Sequence, residues 1–511
     1  MSQLQSVIAN QTGLLLALGI GLAVLAILSP KQHYKGKKVF NDRKGMEWLY
    51  TNAKIRFVNH GRNMFKAAFE QSQNAFYIVT SRGVEMILSH KYIPEIRNDD
   101  RFNFPLRIEQ LLHGRINGFE MFKQSPLENK LFIDTFQSRM TREIGQFLLP
   151  ISQEIEHFLQ TRWTDNSEWH AFSLYPSIVD LIAQGSSRLF VGPNLCRDPD
   201  WLRVTVSYNA NFFTGVDWLD WWPTVLRPLA AKFSLACQRV RGDLAEARRI
   251  LAAFVAERRA QRARGEKRED LLQWFEDGAN GAPYDPALLL LRASLAALHT
   301  TSDLLTQTLF NLCSRPDLVT DLRKEAAAVL GKHGLQKNAV YELKLMDSVI
   351  KESQRLKPLL LTSFSRITVA DVTLSDGLEI PKGTPIQVSN RNMWDPAVSE
   401  YTDADKFDGY RFYNLRRLPG YENTGQLVTT SPSHTGFGLG KHACPGRFFA
   451  AIAMKLILCH ILLKYDIRLA EGQVPKPVYR ADTQIVDPVC EILVRRRKME
   501  IDLAKLAESI E

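Results

Sequence analysis

The chain has 511 residues, and its 45% hydrophobic and 23% charged residues exclude a disordered protein and predict a well-buried globular body. The net charge of +10 suits an anionic membrane surface or an acidic protein partner, and the scattered basic residues lack a nucleic-acid-binding motif, so no nucleic-acid partner is predicted. The six cysteines lie far apart, which indicates a reducing compartment and no disulfide framework.

The first predicted element is a membrane anchor. Residues 14–28 are almost unbroken apolar sequence, and residues 7–28 are long enough to cross a bilayer. Four lysines follow within residues 31–38, and positive charge directly after a span places that side in the cytosol. A cleaved signal peptide, the alternative, carries its charge before the apolar run. We therefore predict an anchor over residues 1–30 and a cytosolic domain over residues 31–511.

Helical patterns dominate the rest of the chain. Apolar residues recur at helical spacing between residues 131 and 159, and Pro286 begins a long apolar helix that continues to Cys313. Alternating segments such as residues 75–80 predict a small sheet, with a helix after Gly83. The predicted fold class is mainly α with small β-sheets (α+β), in one large domain behind the anchor.

Residues 208–228 are unusually rich in aromatic side chains, among them Phe212, Phe213, Trp218 and Trp222. One interpretation is packing in the hydrophobic core. The other is an amphipathic lip that dips into the membrane interface, where tryptophan is favoured.

The most specific pattern is Phe-Gly-Leu-Gly-Lys-His-Ala-Cys-Pro-Gly at residues 437–446. Gly438 and a second glycine allow a tight turn beneath Cys444, and Pro445 suits the first position of a helix. Free amides and the dipole at a helix N-terminus favour a thiolate at Cys444, and Phe437 shields the sulfur from water. Such a thiolate is a suitable axial ligand for haem iron. No second cysteine lies nearby, which excludes a zinc ribbon or a Cys-x-x-Cys redox site.

This pattern resembles the cysteine loop of the cytochrome P-450 family, and the resemblance spans most of the chain in the family's order. It implies a P-450 fold and haem b with Cys444 as the axial ligand of the iron. It also implies monooxygenation, in which one oxygen atom enters the substrate and the other leaves as water. Because the chain has no flavin or nicotinamide segment, the two electrons are implied to come from NADPH through a separate NADPH cytochrome P-450 reductase.

The resemblance assigns catalytic roles within the long helix. Residues 296–301 are similar to the family's oxygen-binding segment, whose small residues leave space for dioxygen. The hydroxyl of Thr300 is implied to steer protons during oxygen activation. The family usually has Asp or Glu where this chain has His299, so His299 either relays protons or is a core histidine. Asp303, one turn further on, is the alternative proton source.

Other residues match positions that hold the cofactor in the family. Phe437 and Gly438 belong to the cysteine loop, and His442 and Arg366 are the implied partners of the haem propionates. Near Arg139 the family usually brings a tryptophan and an arginine four residues apart. No such pair occurs in this chain, so propionate binding from that side is unassigned.

A charged network is implied to support the cysteine loop. Glu352 and Arg355 lie three residues apart on one helical face, and alone such a pair is worth well under ~1 kcal/mol. Residues 407–412 resemble the family's segment that supplies a second arginine, here Arg411. The resemblance implies a buried network of these three side chains, with a structural role and no chemistry.

The motifs around His299 and Cys444 resemble fungal enzymes of secondary metabolism, including diterpene, indole-diterpene and meroterpenoid oxidases. The implied substrate is a hydrophobic multi-ring terpenoid or meroterpenoid, with a fatty acid or an aromatic polyketide as alternatives. Residues 359–364 and 485–488 are candidate pocket segments by position.

The implied partners are the reductase, a hydrophobic small-molecule substrate and membrane lipid, at the endoplasmic reticulum membrane. Lys441 and Arg447 are candidates for reductase docking, since they lie at the cysteine loop. Two alternatives remain: an enzyme of the same fold that rearranges or dehydrates its substrate without external electrons, and a non-catalytic haem sensor.

Overall fold

The computed structural model describes residues 34, 36–47, 49–266 and 268–503. The predicted anchor over residues 1–30 lies outside the described residues. Long helices and short strands make up the described chain, which confirms the predicted class of mainly α with small β-sheets.

About half of the described residues belong to α-helices, whose apolar faces pack into one large core. In chain order the helices span Thr51–Gln71, Ile93–Ile96, Phe104–Leu111, Pro126–Asp134, Thr141–Glu143, Leu148–Arg162, Leu174–Val191, Pro199–Asp220, Arg227–Phe233, Leu235–Ala263, Leu271–Ala279, Pro286–Cys313, Pro316–His333, Lys337–Glu342, Lys344–Leu356, Arg411–Leu415 and Arg447–Lys464. A π-helical turn, Thr135–Met140, follows Pro126–Asp134.

Thirteen short strands form four small sheets within the described residues. They are β1 (Val39–Phe40), β2 (Ala75–Thr80), β3 (Gly83–Leu88), β4 (Phe102–Asn103), β5 (His170–Ser173), β6 (Thr362–Thr368), β7 (Val372–Thr373), β8 (Glu379–Ile380), β9 (Pro385–Ser389), β10 (Tyr465–Leu469), β11 (Val478–Arg480), β12 (Thr483–Ile485) and β13 (Glu491–Arg496). The largest sheet has the order β1-β2-β3-β9-β6-β4, and the others are β10-β13-β5, β11-β12 and β7-β8. In the largest sheet β1–β2 and β3–β9 are parallel pairs.

The helix Pro286–Cys313, which we call the central helix, runs through the main core. Asp285 caps it by accepting a hydrogen bond from the amide of Ala287 at 2.9 Å, and Pro286 lies in the first turn, where a missing N–H leaves no donor unused. Of the described helices, it is the one that is long and apolar enough to cross a membrane. Most of it is buried inside the protein, as expected of a core helix.

The prediction of a helix after Gly83 is wrong. Gly83 begins β3, which pairs with β2 in antiparallel register, and the nearest long helix, Thr51–Gln71, precedes β2 instead. Gly83 has a φ of 119°, which suits the turn between the two strands. Residues 85–88 of β3 are all buried, and a short continuous apolar run does not by itself distinguish a strand from a helix.

The aromatic segment divides into buried and exposed side chains. Phe212 is fully buried in the main core, as the first interpretation requires. Phe213, Trp218 and Trp222 are 41%, 42% and 36% exposed, and the rings of the two tryptophans lie 6.0 Å apart. The helix Pro199–Asp220 therefore buries one face and presents aromatic side chains on another.

Candidate active site

The cysteine loop is built on two glycines in the left-handed region. Gly438 has a φ of 70° and Gly440 a φ of 76°, and the amide of Cys444 donates to the carbonyl of Phe437 at 2.8 Å to close the turn. The following helix begins at Arg447 rather than at Pro445, which corrects the predicted boundary. Cys444 therefore lies just before the helix, in the turn that leads into its N-terminus.

The amides after Cys444 face its sulfur. Burial raises the pKa of the Cys444 thiol, and the backbone amides of Gly446 and Arg447, with the Arg447 charge, act in the opposite direction. The Arg447 guanidinium also donates to the carbonyl of Cys444 at 2.8 Å and to that of Val428 at 3.2 Å. Arg447, which is partly exposed, thus stabilises the loop through its guanidinium, and its predicted use in reductase docking stays a prediction.

Arg366 and His442 both contact the ring of Phe104. The Arg366 guanidinium carbon is 4.6 Å from the Phe104 ring centroid, and the His442 ring is 5.1 Å from it. Arg366 is buried, no carboxylate of the described chain pairs with it, and burial lowers its pKa to about 10, so it stays charged at neutral pH. Burial, reinforced by the charges of Arg366 and Lys441, lowers the pKa of His442 to about 4. The buried Arg366 and the half-buried His442 together offer donors that suit an anion.

Two residues of the central helix are exposed although the helix runs through the core. Ala296 and Thr300, one turn apart, are its only exposed positions, and all of its residues lie within the described chain. The Thr300 hydroxyl donates back to the carbonyl of Ala296 at 2.8 Å, which leaves its oxygen lone pairs free to accept. A small side chain and a hydroxyl therefore line an open face inside the fold.

His299 points towards the neighbouring helices. Its Nδ1 lies 3.4 Å from the hydroxyl of Tyr175, and its ring packs edge-on against Phe213 at 5.7 Å. Its Nε2 is buried and has no hydrogen-bond partner in the described part of the chain. Burial lowers the pKa of His299, so the imidazole is neutral at pH 7.

Asp303 is fully engaged in structural contacts, which disagrees with its predicted alternative role as a proton source. One carboxylate oxygen accepts from the Lys357 ammonium at 2.5 Å, and the other accepts from the amide of Val486 at 2.7 Å. Burial raises the pKa of Asp303, and the Lys357 charge opposes that rise. Asp303 therefore ties the central helix to the segment after β12.

The predicted charged network is confirmed. Glu352 and Arg355 are fully buried, and Arg355 donates to the two Glu352 oxygens at 2.7 and 2.8 Å. Arg355 also donates to three backbone carbonyls within residues 393–406. Arg411 donates to both oxygens of Glu352 at 3.2 Å. The network therefore joins the helix Lys344–Leu356 to the segment that precedes the cysteine loop.

The same helix contacts the beginning of the loop through Gln354. Its side-chain oxygen lies 3.0 Å from Nε2 of His434, and a Cβ added at Gly436 would clash with the Gln354 side chain. The Gly436 position therefore allows the backbone leading to the cysteine to pass directly over this helix.

The family model for Cytochrome P-450 matches residues 65–493. The chain belongs to the cytochrome P-450 family. It is 57% identical over 507 residues to the cytochrome P-450 monooxygenase prhD of Penicillium brasilianum, across 99% of both chains. It is 50% identical over 498 residues to the cytochrome P-450 monooxygenase esdpI of Penicillium shearii, across 96% of this chain and 97% of the relative. The resemblance to fungal cytochrome P-450 monooxygenases is confirmed.

A solved structure supports the same fold. Retinoic acid bound cyanobacterial CYP120A1 superposes with a TM-score of 0.66 at 20% identity, covering 87% of this chain and 96% of that chain. At that identity the likeness shows the fold alone. As a P-450 monooxygenase, the chain uses haem b with a cysteine thiolate ligand, and the family takes its electrons from a reductase.

The described residues fit a haem of this kind. The buried Arg366 guanidinium lacks a carboxylate partner in the described chain, and a haem propionate supplies one. The uncovered Ala296 and Thr300 would leave space beside the cofactor. Cys444 is partly exposed, with amides directed at its sulfur, and its thiolate would serve as the iron ligand. The charge, the steric space and the donor atom required by a P-450 haem are therefore all present.

A buried charge cluster beside the aromatic segment was not predicted from the sequence. Arg82 lies 3.4 Å from Asp482 and 3.8 Å from Asp220, which ends the aromatic helix, and Arg107 pairs with the buried Glu85 nearby. These residues come from four distant parts of the P-450 chain. The one available signal was Glu85, a carboxylate within the buried run of β3.

Proposed function

We propose that this P-450 hydroxylates or further oxidises a hydrophobic multi-ring terpenoid or meroterpenoid in fungal secondary metabolism, with electrons from NADPH through a separate reductase. The high identity to fungal P-450 monooxygenases over nearly the whole chain supports the class of reaction. The observation that carries the proposal is the open face of Ala296 and Thr300 on a helix that is otherwise covered. A small residue beside a free hydroxyl suits dioxygen chemistry next to an apolar substrate.

Five residues of this chain would hold the cofactor. Cys444 is the proposed iron ligand, with Phe437 and Gly438 forming the turn around its sulfur. His442 and Arg366, which both contact Phe104, would bind the propionates. Haem held by a thiolate supplies the oxygen-activating chemistry when it is bound.

Thr300 and His299 are the proposed catalytic residues. The Thr300 hydroxyl, which donates to Ala296, can accept a proton at its oxygen and pass its own proton on towards the open face. The buried Nε2 of His299, the next residue towards the N-terminus, has no partner in the described residues and can relay a proton, releasing one as Nδ1 takes up another.

The two candidate pocket segments are neighbours. Leu360 pairs with Thr483, and the amide of Leu361 donates to the carbonyl of Asp482 at 2.8 Å, so residues 359–364 run beside the β11–β12 hairpin. The amide of Val486 binds Asp303, one turn from His299. This arrangement supports our proposal that residues 359–364 and 485–488 contribute to substrate selection.

Oxidation of a terpenoid panel tests the proposed function. Microsomes that contain the full chain and a P-450 reductase should form an oxidised product only with NADPH and dioxygen, and the inserted atom should come from labelled dioxygen. We expect Thr300→Ala to lower product per NADPH roughly tenfold or more and to raise peroxide release, because proton delivery is lost. Mass spectrometry and peroxide assays measure both.

Thr308→Ala is the matched control for this experiment. Thr308 makes the same backbone hydrogen bond, 2.8 Å to the carbonyl of Leu304, two turns along the helix, but it is buried. The Thr308→Ala variant should form as much product per NADPH as the unmodified chain does. If product formed without NADPH, the chain would be an enzyme of the same fold that rearranges or dehydrates its substrate. If no substrate gave a product, a non-catalytic haem sensor would be favoured.

We also propose that residues 1–30 anchor a catalytic domain, residues 31–511, in the endoplasmic reticulum membrane, facing the cytosol. The exposed apolar side chains near the aromatic segment support membrane contact, and they are Phe213, Trp218, Trp222, Val225, Leu229, Phe233 and Leu235.

Lys441, which pairs with the highly exposed Asp100, is a candidate contact for the reductase at the cysteine loop.

Quenching of tryptophan fluorescence by brominated lipids tests the membrane contact. In the full chain reconstituted in vesicles, we expect Trp218→Phe with Trp222→Phe to remove most of the lipid-quenchable emission, since tryptophan side chains at the interface lie within reach of the bromines. Trp163→Phe is the control, because Trp163 is 1% exposed and should contribute no quenchable emission. Unchanged quenching in the double variant would contradict the contact.

A further inference from the structure

His299 and Asp303 lie four residues apart on the central helix and share one face. That face is turned towards the helix Leu174–Val191, which packs along the central helix. Tyr175, in the first turn of that helix, places its hydroxyl 3.4 Å from Nδ1 of His299 and close enough to Asp303 to feel its charge. A tyrosine hydroxyl is therefore the hydrogen-bonding side chain that faces the His299 ring in the described chain.

The position of Tyr175 is fixed by the segment that precedes it. Strand β5, which precedes it, pairs with β13, and the amide of Leu174 donates to the carbonyl of Cys490 at 3.4 Å. Burial, followed by the negative charge of Asp303, raises the pKa of Tyr175 to about 12. The phenol therefore keeps its proton at neutral pH and is available as a donor.

A neutral imidazole has one nitrogen that carries hydrogen and one that accepts, and the hydrogen bond at one nitrogen decides the state of the other. The Asp303 carboxylate is already bound by Lys357 and the Val486 amide, so it does not compete for the His299 ring. Phe213 covers the ring edge-on and offers no hydrogen-bonding group. The Tyr175 hydroxyl is thus the group that can set the tautomer.

We propose that Tyr175 is a positioning residue that donates to Nδ1 of His299 and so fixes the hydrogen on Nε2. This inference rests on the proposed function, in which His299 supplies protons beside Thr300. The Nε2 nitrogen is the buried atom without a partner in the described residues, and with Tyr175 in place it carries the hydrogen. Loss of the hydroxyl frees the ring to adopt the other tautomer, in which Nδ1 already carries the hydrogen and cannot take up a proton while Nε2 releases one.

The tautomer is measured directly by ¹⁵N NMR of the full chain with ring-labelled histidine. The ferrous carbon-monoxide form of the holoenzyme is diamagnetic and needs no substrate, and His299→Gln assigns the resonances. We expect protonated Nε2 and unprotonated Nδ1 in the unmodified chain. In Tyr175→Phe both resonances should shift towards the values of a tautomer mixture. A protonated Nδ1 in the unmodified chain, or an unchanged pattern in Tyr175→Phe, overturns the proposal.

Tyr465→Phe is the matched control for the NMR measurement. Tyr465 is also buried, its hydroxyl lies 3.0 Å from the carbonyl of Thr164, and burial raises its pKa to about 12. The Tyr465→Phe variant should leave the ¹⁵N resonances of His299 unchanged. A shift equal to that of Tyr175→Phe would mean that the NMR signal reports general loosening, and it would overturn the assignment to Tyr175.

A double-mutant cycle separates positioning from a structural role. Tyr175→Phe should lower product per NADPH about fivefold, the factor that one neutral hydrogen bond gives. In the His299→Asp background, where no tautomer exists, Tyr175→Phe should have no further effect. An equal loss in both backgrounds overturns the proposal. Failure of the proposed function is distinguishable, because it removes NADPH-dependent product from the unmodified chain and leaves the NMR result intact.

Discussion

Cys444→Ala is expected to abolish the red-shifted Soret band of the reduced carbon-monoxide complex. The band requires a thiolate on the iron, and Cys444 is the cysteine whose sulfur faces the amides of Gly446 and Arg447. The measurement is the difference spectrum of microsomes containing the full chain. Monooxygenase activity should fall to background in the same preparation, because the thiolate promotes cleavage of the O–O bond.

Cys459→Ala is the matched control. Cys459 is a fully buried cysteine on the helix Arg447–Lys464, its sulfur lies 3.9 Å from that of Met346, and burial raises the pKa of its thiol to about 12. Its removal leaves a small cavity but no change at the iron, so the red-shifted band should persist. Persistence of the band in Cys444→Ala would contradict the assignment of Cys444 as the iron ligand.

Arg355→Lys is expected to destabilise the fold almost as much as complete removal of the charge. The guanidinium spreads its N–H groups over Glu352 and three carbonyls, and a lysine ammonium cannot reproduce this planar fork. Breaking a buried pair of this kind costs roughly 3–5 kcal/mol. Urea unfolding of the full chain, followed by fluorescence, should show a lower midpoint, and the thiolate spectrum should disappear at lower urea.

The control for this variant is a surface pair in the segment that the network holds. Lys406 and Asp403 lie 2.9 Å apart and are 70% and 60% exposed, so Lys406→Ala should change stability by less than ~1 kcal/mol. If Arg355→Lys unfolded at the same midpoint as Lys406→Ala, the buried network would not support the fold as its geometry indicates.

The sequence predicted correctly what short-range chemistry determines. Gly438 was identified from its spacing to Cys444, because a left-handed turn beneath a cysteine demands glycine wherever the rest of the chain lies. The Glu352–Arg355 spacing likewise fixes a shared helical face before any tertiary contact forms. The sequence predicted that the helix after Cys444 begins at Pro445. The helix begins at Arg447 instead, because the turn continues through Gly446.

Which side chains meet across the fold was decided by the tertiary structure alone. The sequence predicted Arg447 as a docking charge, but its contacts came only from the structure, in which its guanidinium donates to the carbonyls of Cys444 and Val428. Asp303 looked like a proton source, but Lys357 and Val486 arrive from distant segments and occupy both of its oxygens.

The contact between Tyr175 and His299 is the clearest example of a feature that only the tertiary structure decides. The two residues are 124 positions apart in the sequence, and no local pattern links them. Glycine turns and helical spacing are set by the chain's own covalent geometry, so the sequence by itself determined the cofactor loop, the network and the family. The surroundings of a buried polar group depend on how helices pack, so only the tertiary structure decided what His299 and Asp303 contact.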